Sequence, residues 1–188
     1  MRQRILMAAA RLFRERGFHA TTARAIAEIV GMLSGSLFHH FRSKEQMLFE
    51  VMNDAAIGLC ERAETAVAAA ADPRAQLHAL VRVQLECLVG EDSRDYYAVL
   101  INEWRHLDSG ARRKLKAHRI QYSAIWQAVL EDCARLGLLR ADAQVTQFAL
   151  HGAINWATTW FKPSGRLSLE EYATLLENLV LERAPSAP

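Results

Sequence analysis

The chain has 188 residues, 51% of them hydrophobic and only four of them proline, with a net charge of +2. That length supports one large or two small domains around a sizeable core, and the composition excludes a largely disordered chain. No run of 18 apolar residues is present and no charged-then-apolar leader precedes the first periodic segment, so no membrane span is expected and the expected location is cytoplasmic.

The charge is unevenly spread. Residues 1–45 carry eight Lys/Arg against three Asp/Glu, a charge of +5, whereas residues 46–188 carry fifteen against eighteen, a charge of −3. A basic head on a mildly acidic body points to a polyanionic partner for the head alone. Cys60, Cys87 and Cys133 are far apart and lack a CxxC pairing, which favours small buried hydrophobes over a disulfide frame or a zinc site. Neither a metal nor a cofactor is expected. No GxSxG, HExxH, P-loop or GxGxxG motif occurs, so the chain is expected not to be an enzyme.

From Arg2 to Arg16, Ile5, Ala8, Ala9, Leu12 and Phe13 recur at helical spacing, and Gly17 stands where a helix commonly ends. A second periodic run follows over 23–30, with Thr22 as its N-cap and Gly31 at its end. A short turn then leads into Ser34-Gly35-Ser36-Leu37-Phe38-His39-His40-Phe41-Arg42-Ser43-Lys44. Leu37 and Phe41, one turn apart, can anchor this stretch to a core. Its other side offers hydroxyls, imidazoles, a ring and bare backbone, followed by positive charge, which suits a groove lined by phosphates and base edges. Helix, Gly-containing turn and helix form the helix-turn-helix unit. His39 and His40 as metal ligands would need further partners, and adjacent helical residues point about 100° apart.

Ser43 with Gln46 predicts a capping box for a long helix reaching about residue 72. Pro73 begins another, to Gly90; 91–95 form a loop; 96–105 a short helix; 111–136 a long one; Asp142 caps a helix to about Trp160; and Ser168 with Glu171 caps the last, to about residue 183, before a frayed tail over 184–188. The chain therefore reads as all-α, with about nine helices and no sheet. Ala149, Gly152, Ala153, Trp156, Ala157 and Trp160 on the eighth helix, with Tyr172, Leu175, Leu176, Leu179 and Val180 on the ninth, form stripes that a second subunit would cover as a four-helix bundle. Trp104, Trp126, Trp156 and Trp160 with Tyr96, Tyr97, Tyr122 and Phe148 supply more large rings than helix packing requires, and gaps between helices commonly hold ligands.

Ile5-Leu6, Ala9-x-x-Leu12-Phe13, Gly17-Phe18, Thr21-Thr22, Ile26-Ala27, Gly31, and Gly35 through Phe41 with Ser43-Lys44 together resemble the DNA-binding module of the TetR family of transcriptional regulators. The resemblance implies a helix-turn-helix DNA-binding domain over 1–45 and a helical ligand-binding and dimerisation domain over 46–188. Carried over residue by residue, Ser34, Gly35, Ser36, Phe38, His39, His40 and Lys44 face double-stranded DNA, with Thr22 on a phosphate. Three positions depart from the family's pattern. Leu33 replaces a capping Ser, which costs on the order of 1 kcal/mol unless Ser34 takes over; Phe38 replaces a Tyr; and Ala25 replaces an Asp.

The segment from Leu150 to Trp156 and from Trp160 to Ser168 is similar to TetR-family repressors of fatty-acid and sterol breakdown that respond to acyl-CoA. That likeness implies an acyl chain among Trp104, Tyr122, Trp126, Phe148, His151 and Asn155. The CoA phosphates would meet Lys162 and Arg166, or the run from Arg112 to Arg119, which can equally be a solvated helix face. The implied dimer face comprises Ala149, Ala153, Trp156, Trp160, Tyr172, Leu176 and Leu179. The expectation is a homodimeric repressor released from a palindromic operator by an acyl-CoA or similar hydrophobic effector. A regulator of efflux sensing hydrophobic drugs, and a helical enzyme or scaffold without DNA binding, stand as alternatives.

Overall fold

The computed structural model describes residues 1–90 and 93–182; Glu91, Asp92 and residues 183–188 lie outside the described residues, and with them the tail expected over 184–188 and the first two residues of the expected 91–95 loop. The helices are α1 (Arg2–Arg16), α2 (Ala23–Val30), α3 (Ser34–Leu37), α4 (Lys44–Ala69), α5 (Pro73–Val89), α6 (Arg94–Asn102), a single 3₁₀ turn (Trp104–His106), α7 (Ser109–Arg135), α8 (Ala143–Trp160) and α9 (Leu169–Val180). Among the described residues there is no strand beyond one isolated antiparallel bridge between Leu139 and Leu181.

The caps follow the side chains. The Thr22 hydroxyl accepts from Ala25 N–H, Asp72 from Ala75 and Asp142 from Val145, while Ser168 and Glu171 form a reciprocal box. Gly31 and Gly137 close their helices at φ 72° and 66°, a conformation that favours glycine. At the start of α4 the expected box is altered: Ser43 Oγ accepts from Gln46 N–H at 3.2 Å, but the Gln46 side chain reaches one residue further back, to Arg42 N–H at 2.7 Å. The sixth helix also stops sooner than expected, at Asn102, and its last turn tightens into the 3₁₀ segment.

The chain divides into two packing units, Met1–Gly58 with Asp92–Arg119 and Leu59–Glu91 with Ile120–Pro188, and two of the three boundaries fall inside continuous helices, α4 and α7. In the first unit, Ile5, Leu6, Leu12, Phe13, Ile26, Leu37, Phe41, Met47 and Val51 close a core to which α6 contributes Val99 and α7 Leu115. Arg14 pairs with Asp95, and Gln3 donates to the Tyr96 hydroxyl at 3.2 Å, fastening α1 to α6. In the second unit, α5 packs on α8 and α9. Leu77, Leu80, Val81, Leu85, Trp126, Leu130, Leu150, Ile154 and Leu176 are buried there. Arg74 meets Glu177 at 2.8 Å, and His78 lies 2.9 Å from both Glu177 and Glu170, so polar pairs hold α9 against α5 at its edge. All three cysteines are buried and none is in a disulfide. Burial pushes the Cys133 thiol up to about 11 and raises that of Cys60.

Candidate functional site

The reading head is built from the inside out. Leu37 (0% exposed) and Phe41 (1%) are driven into the first unit's core, and Arg2 lies over the Phe41 ring at 4.9 Å. With those two side chains pinned, the intervening and preceding ones must face outward. Gly35, Phe38, His39 and His40 are exposed and Ser34 and Ser36 half-buried. A Cβ at Gly35 would meet open space, so the bare backbone there answers no need inside the chain.

The helical part of this stretch is shorter than the motif suggests. Leu33 sits at the N-cap in extended geometry with no side-chain cap, and Ser34 does not take over. Regular α geometry lasts only from Ser34 to Leu37, after which Phe38, His39 and His40 N–H groups each bond three residues back. An uncapped start and a glycine at its second position explain why one turn forms and the next tightens.

The loop before α2 is braced. Thr21 is fully buried, its hydroxyl 2.9 Å from Gly17 O and 3.1 Å from Leu12 O. Lys44 directs its ammonium to Phe18 O (2.7 Å) and Thr21 O (2.8 Å) and lies 4.2 Å from the Phe18 ring centre. Two of its three N–H donors are thus spent on the chain itself, leaving one for a phosphate. Thr22 is exposed and its hydroxyl is the α2 cap.

His106 was not among the residues expected near the head. Its ring stacks on Phe18 (5.2 Å, 24°) and meets His19 edge-on (4.3 Å, 85°), and burial, followed by the charge of His19, lowers its pKa. The signal for it is weak: a histidine two residues after Trp104, in a short break between helices.

The residues expected at an effector separate. Trp104 belongs to the first unit, packed on its core beneath Arg119, whose guanidinium is 5.9 Å from the ring. Tyr122, Trp126, His151 and Asn155 come together in the second. Trp126 is fully buried and meets His151 edge-on at 4.8 Å, while Tyr122 stacks parallel to His151 at 6.0 Å. The Tyr122 hydroxyl donates to Gln84 (3.1 Å), and the Gln84 amide donates to Asn155 Oδ1 (3.1 Å). Gln84 escaped the sequence reading, although a glutamine in register with Leu77, Leu80 and Leu88 interrupts an otherwise apolar stripe. Burial pushes the His151 imidazole down to about 4, so the ring is neutral near pH 7. Lys162 and Arg166 lie exposed in the loop between α8 and α9.

Phe148 is not part of this cluster. It is 66% exposed on the same side of α8 as Val145 (53%), Ala149, Gly152, Trp156 (67%) and Trp160 (44%), beside Leu175 (51%) and Leu179 (70%) of α9. A Cβ at Gly152 would touch nothing. Tyr172 and Leu176, expected on this face, turn inward instead: Leu176 is 3% exposed, and the Tyr172 hydroxyl donates to Ala153 O at 3.1 Å. The reason is periodicity. Helix α9 keeps 172, 173, 176 and 177 against its own subunit and leaves 175 and 179 outside.

Among the described residues no His, Cys, Asp and Glu side chains gather as a metal site, and no helix is long and apolar enough to cross a membrane.

The profile described as "Bacterial regulatory proteins, tetR family" matches residues 5–51, and that described as "Tetracyclin repressor-like, C-terminal domain" matches residues 70–184. The HTH-type transcriptional repressor KstR2 of Rhodococcus jostii is 35% identical over 184 residues, covering 96% of this chain and 89% of its own. Among solved structures, the superantigen PfiT is 38% identical with a TM-score of 0.81 over 97% of each chain. AibR in complex with isovaleryl coenzyme A and operator DNA is 30% identical with a TM-score of 0.85, covering 95% of this chain and 96% of that one. A helical enzyme without DNA binding is therefore set aside. Matched at its head by a regulator profile and over most of its body by a repressor profile, the chain belongs to the TetR family of bacterial regulatory proteins.

Proposed function

We propose that the protein is a cytoplasmic, homodimeric repressor that leaves a palindromic operator when an acyl-CoA, or a thioester like it, binds among the helices of its second packing unit. Residues 1–45 serve as the DNA reader and 46–188 as the part that senses and pairs. The observation that carries the reading is the outward set Ser34, Gly35, Ser36, Phe38, His39 and His40 on a scaffold whose inward side chains, Leu37 and Phe41, are completely buried. These groups offer hydrogen bonds and backbone access to base edges, and Thr22, Lys44 and Arg42 are the donors assigned to the phosphates alongside. The exposed stripe Phe148, Gly152, Trp156 and Leu179 suits pairing of α8 and α9 with their copies, which would set two readers on one palindrome. The effector class follows from the AibR complex with isovaleryl coenzyme A, with Lys162 and Arg166 available to its phosphates. An effector lowers operator affinity only by binding the DNA-free arrangement better than the bound one.

The test is selection of bound fragments from host genomic DNA at two salt concentrations, followed by competition with isovaleryl-CoA. A shared palindromic sequence, released by the thioester, is the expected result. Fragments with no common sequence would end the proposal of an operator, and an operator that no thioester releases would end that of the effector.

A further inference from the structure

Two polar atoms of the second unit have burial without a partner. The indole Nε1 of Trp126, on α7, and the imidazole Nε2 of His151, on α8, are both shut off from solvent and both lack a hydrogen bond. Their rings lie 4.8 Å apart at 83°. Leaving such a group unmade costs free energy, and native interiors rarely tolerate it. The surroundings do not lack polar chemistry. Tyr122, Gln84 and Asn155, packed alongside, satisfy one another in a chain of hydrogen bonds, and that chain stops short of the two rings.

The chemistry of the missing partner is constrained. An indole N–H only donates, so whatever meets Trp126 must accept. Burial lowers the pKa of His151, so the ring is neutral near pH 7. A carboxylate or phosphate brought there would be buried against a neutral imidazole and a neutral indole. A plain alkyl group would leave both atoms as they are. An uncharged carbonyl oxygen, with two lone pairs and apolar flanks, fits both demands.

We propose that Trp126 Nε1 and His151 Nε2 form the point in the effector site that reads a neutral acyl carbonyl, of a thioester or an ester, and so distinguishes an acyl ligand from the free acid or the alkane. This rests on the effector reading above. Trp126 donates to the carbonyl oxygen, and His151, as its Nε2–H tautomer, donates to the second lone pair. The flanking rings and the Tyr122–Gln84–Asn155 chain hold the two donors in place.

The full-length protein is titrated with isovaleryl-CoA and with its thioether, in which the carbonyl is a methylene, and with the same pair built on N-acetylcysteamine, which lacks the nucleotide. Wild type is expected to prefer each thioester by roughly tenfold or more, about what one well-made hydrogen bond contributes. The Trp126 indole proton resonance should move downfield with the thioester only. In Trp126→Phe the preference should fall severalfold while thioether binding is kept, since one of the two donors to the carbonyl is lost. His151→Phe, which keeps a flat ring, repeats the reading if Trp126→Phe does not fold. Thioester binding with no preference, or with a preference that both variants keep, overturns the carbonyl assignment and leaves the effector reading standing. A Trp126-dependent preference seen only in the cysteamine pair supports the assignment and overturns CoA as the effector. Binding by none of the four compounds overturns both.

Discussion

The reading head and the aromatic cluster of the second unit both hold polar groups that the chain does not satisfy, and they differ in where those groups lie. Ser34, Ser36, His39 and His40 are at or near the surface, where water completes them until another partner arrives. Trp126 Nε1 and His151 Nε2 are buried, and no group of the chain meets them. An unmet surface group costs almost nothing, so the head can be stable without its ligand; an unmet buried one draws on the stability of the unit that holds it. Reading DNA therefore asks the fold for a rigid base, whereas sensing asks it to tolerate a defect.

The sharpest way to break this contrast is to remove the rigid base. Phe41→Ala deletes a ring that is 1% exposed, and the expected loss is about 3–5 kcal/mol in denaturant unfolding, with DNA binding lost in parallel. A cost below about 1 kcal/mol would mean that the outward residues are not held by that core.

The second effect belongs to the cluster and is read through pH. His151 titrates near 6.5 when unfolded and at about 4 when folded, so between those values the unfolded chain binds the proton and the folded one does not. Stability is complete above pH 6.5 and falls as the pH drops toward 4, by roughly 3 kcal/mol from this ring alone. The difference between wild type and His151→Phe in thermal melts across this range isolates it. Parallel curves would show that the ring is solvated.

The same contrast explains what could be read in the residues beforehand. Helix existence and the head were plain because periodicity, caps and glycines are local: Thr22, Gly31, Pro73, Asp142 and the Ser168–Glu171 pair each declare an end within four residues. The inward and outward faces of α9 were harder, since Leu175 and Leu176 are chemically identical and only packing against α5 and α8 tells them apart. The split of the aromatic residues between two units was beyond local reading, because it depends on where α6 and the first turns of α7 pack. Trp104 and Trp126 look alike in the sequence; one supports the head's core and the other carries the orphaned donor.

Lys44 tests whether a single side chain can serve both purposes. With two N–H donors on Phe18 O and Thr21 O, Lys44→Ala is expected to cost about 1–2 kcal/mol of stability, less than a fully buried charge would. If its third donor meets a phosphate, the slope of log K against log salt should fall by about 0.9. Lost stability with an unchanged slope would make Lys44 a brace only.

The smallest effect runs in the opposite direction. Leu33 stands at the N-cap of the recognition turn with φ −71° and ψ 142°, the backbone geometry of a cap, but it is 80% exposed and has no atom that can accept a hydrogen bond from the turn. Leu33→Ser removes apolar surface that packs on nothing and adds an oxygen within reach of the Gly35 and Ser36 N–H groups. A gain of about 0.5–1 kcal/mol is expected, smaller where the Ser36 N–H already shares its bond with the Leu33 carbonyl at 3.0 Å. Amide exchange over 34–37 should slow by the corresponding factor, and operator affinity should rise, because less ordering would then be left for the moment of binding. Faster exchange, or a lower melting temperature, would show that the short turn is held by Leu37 and Phe41 alone and that its first residue has no part in it.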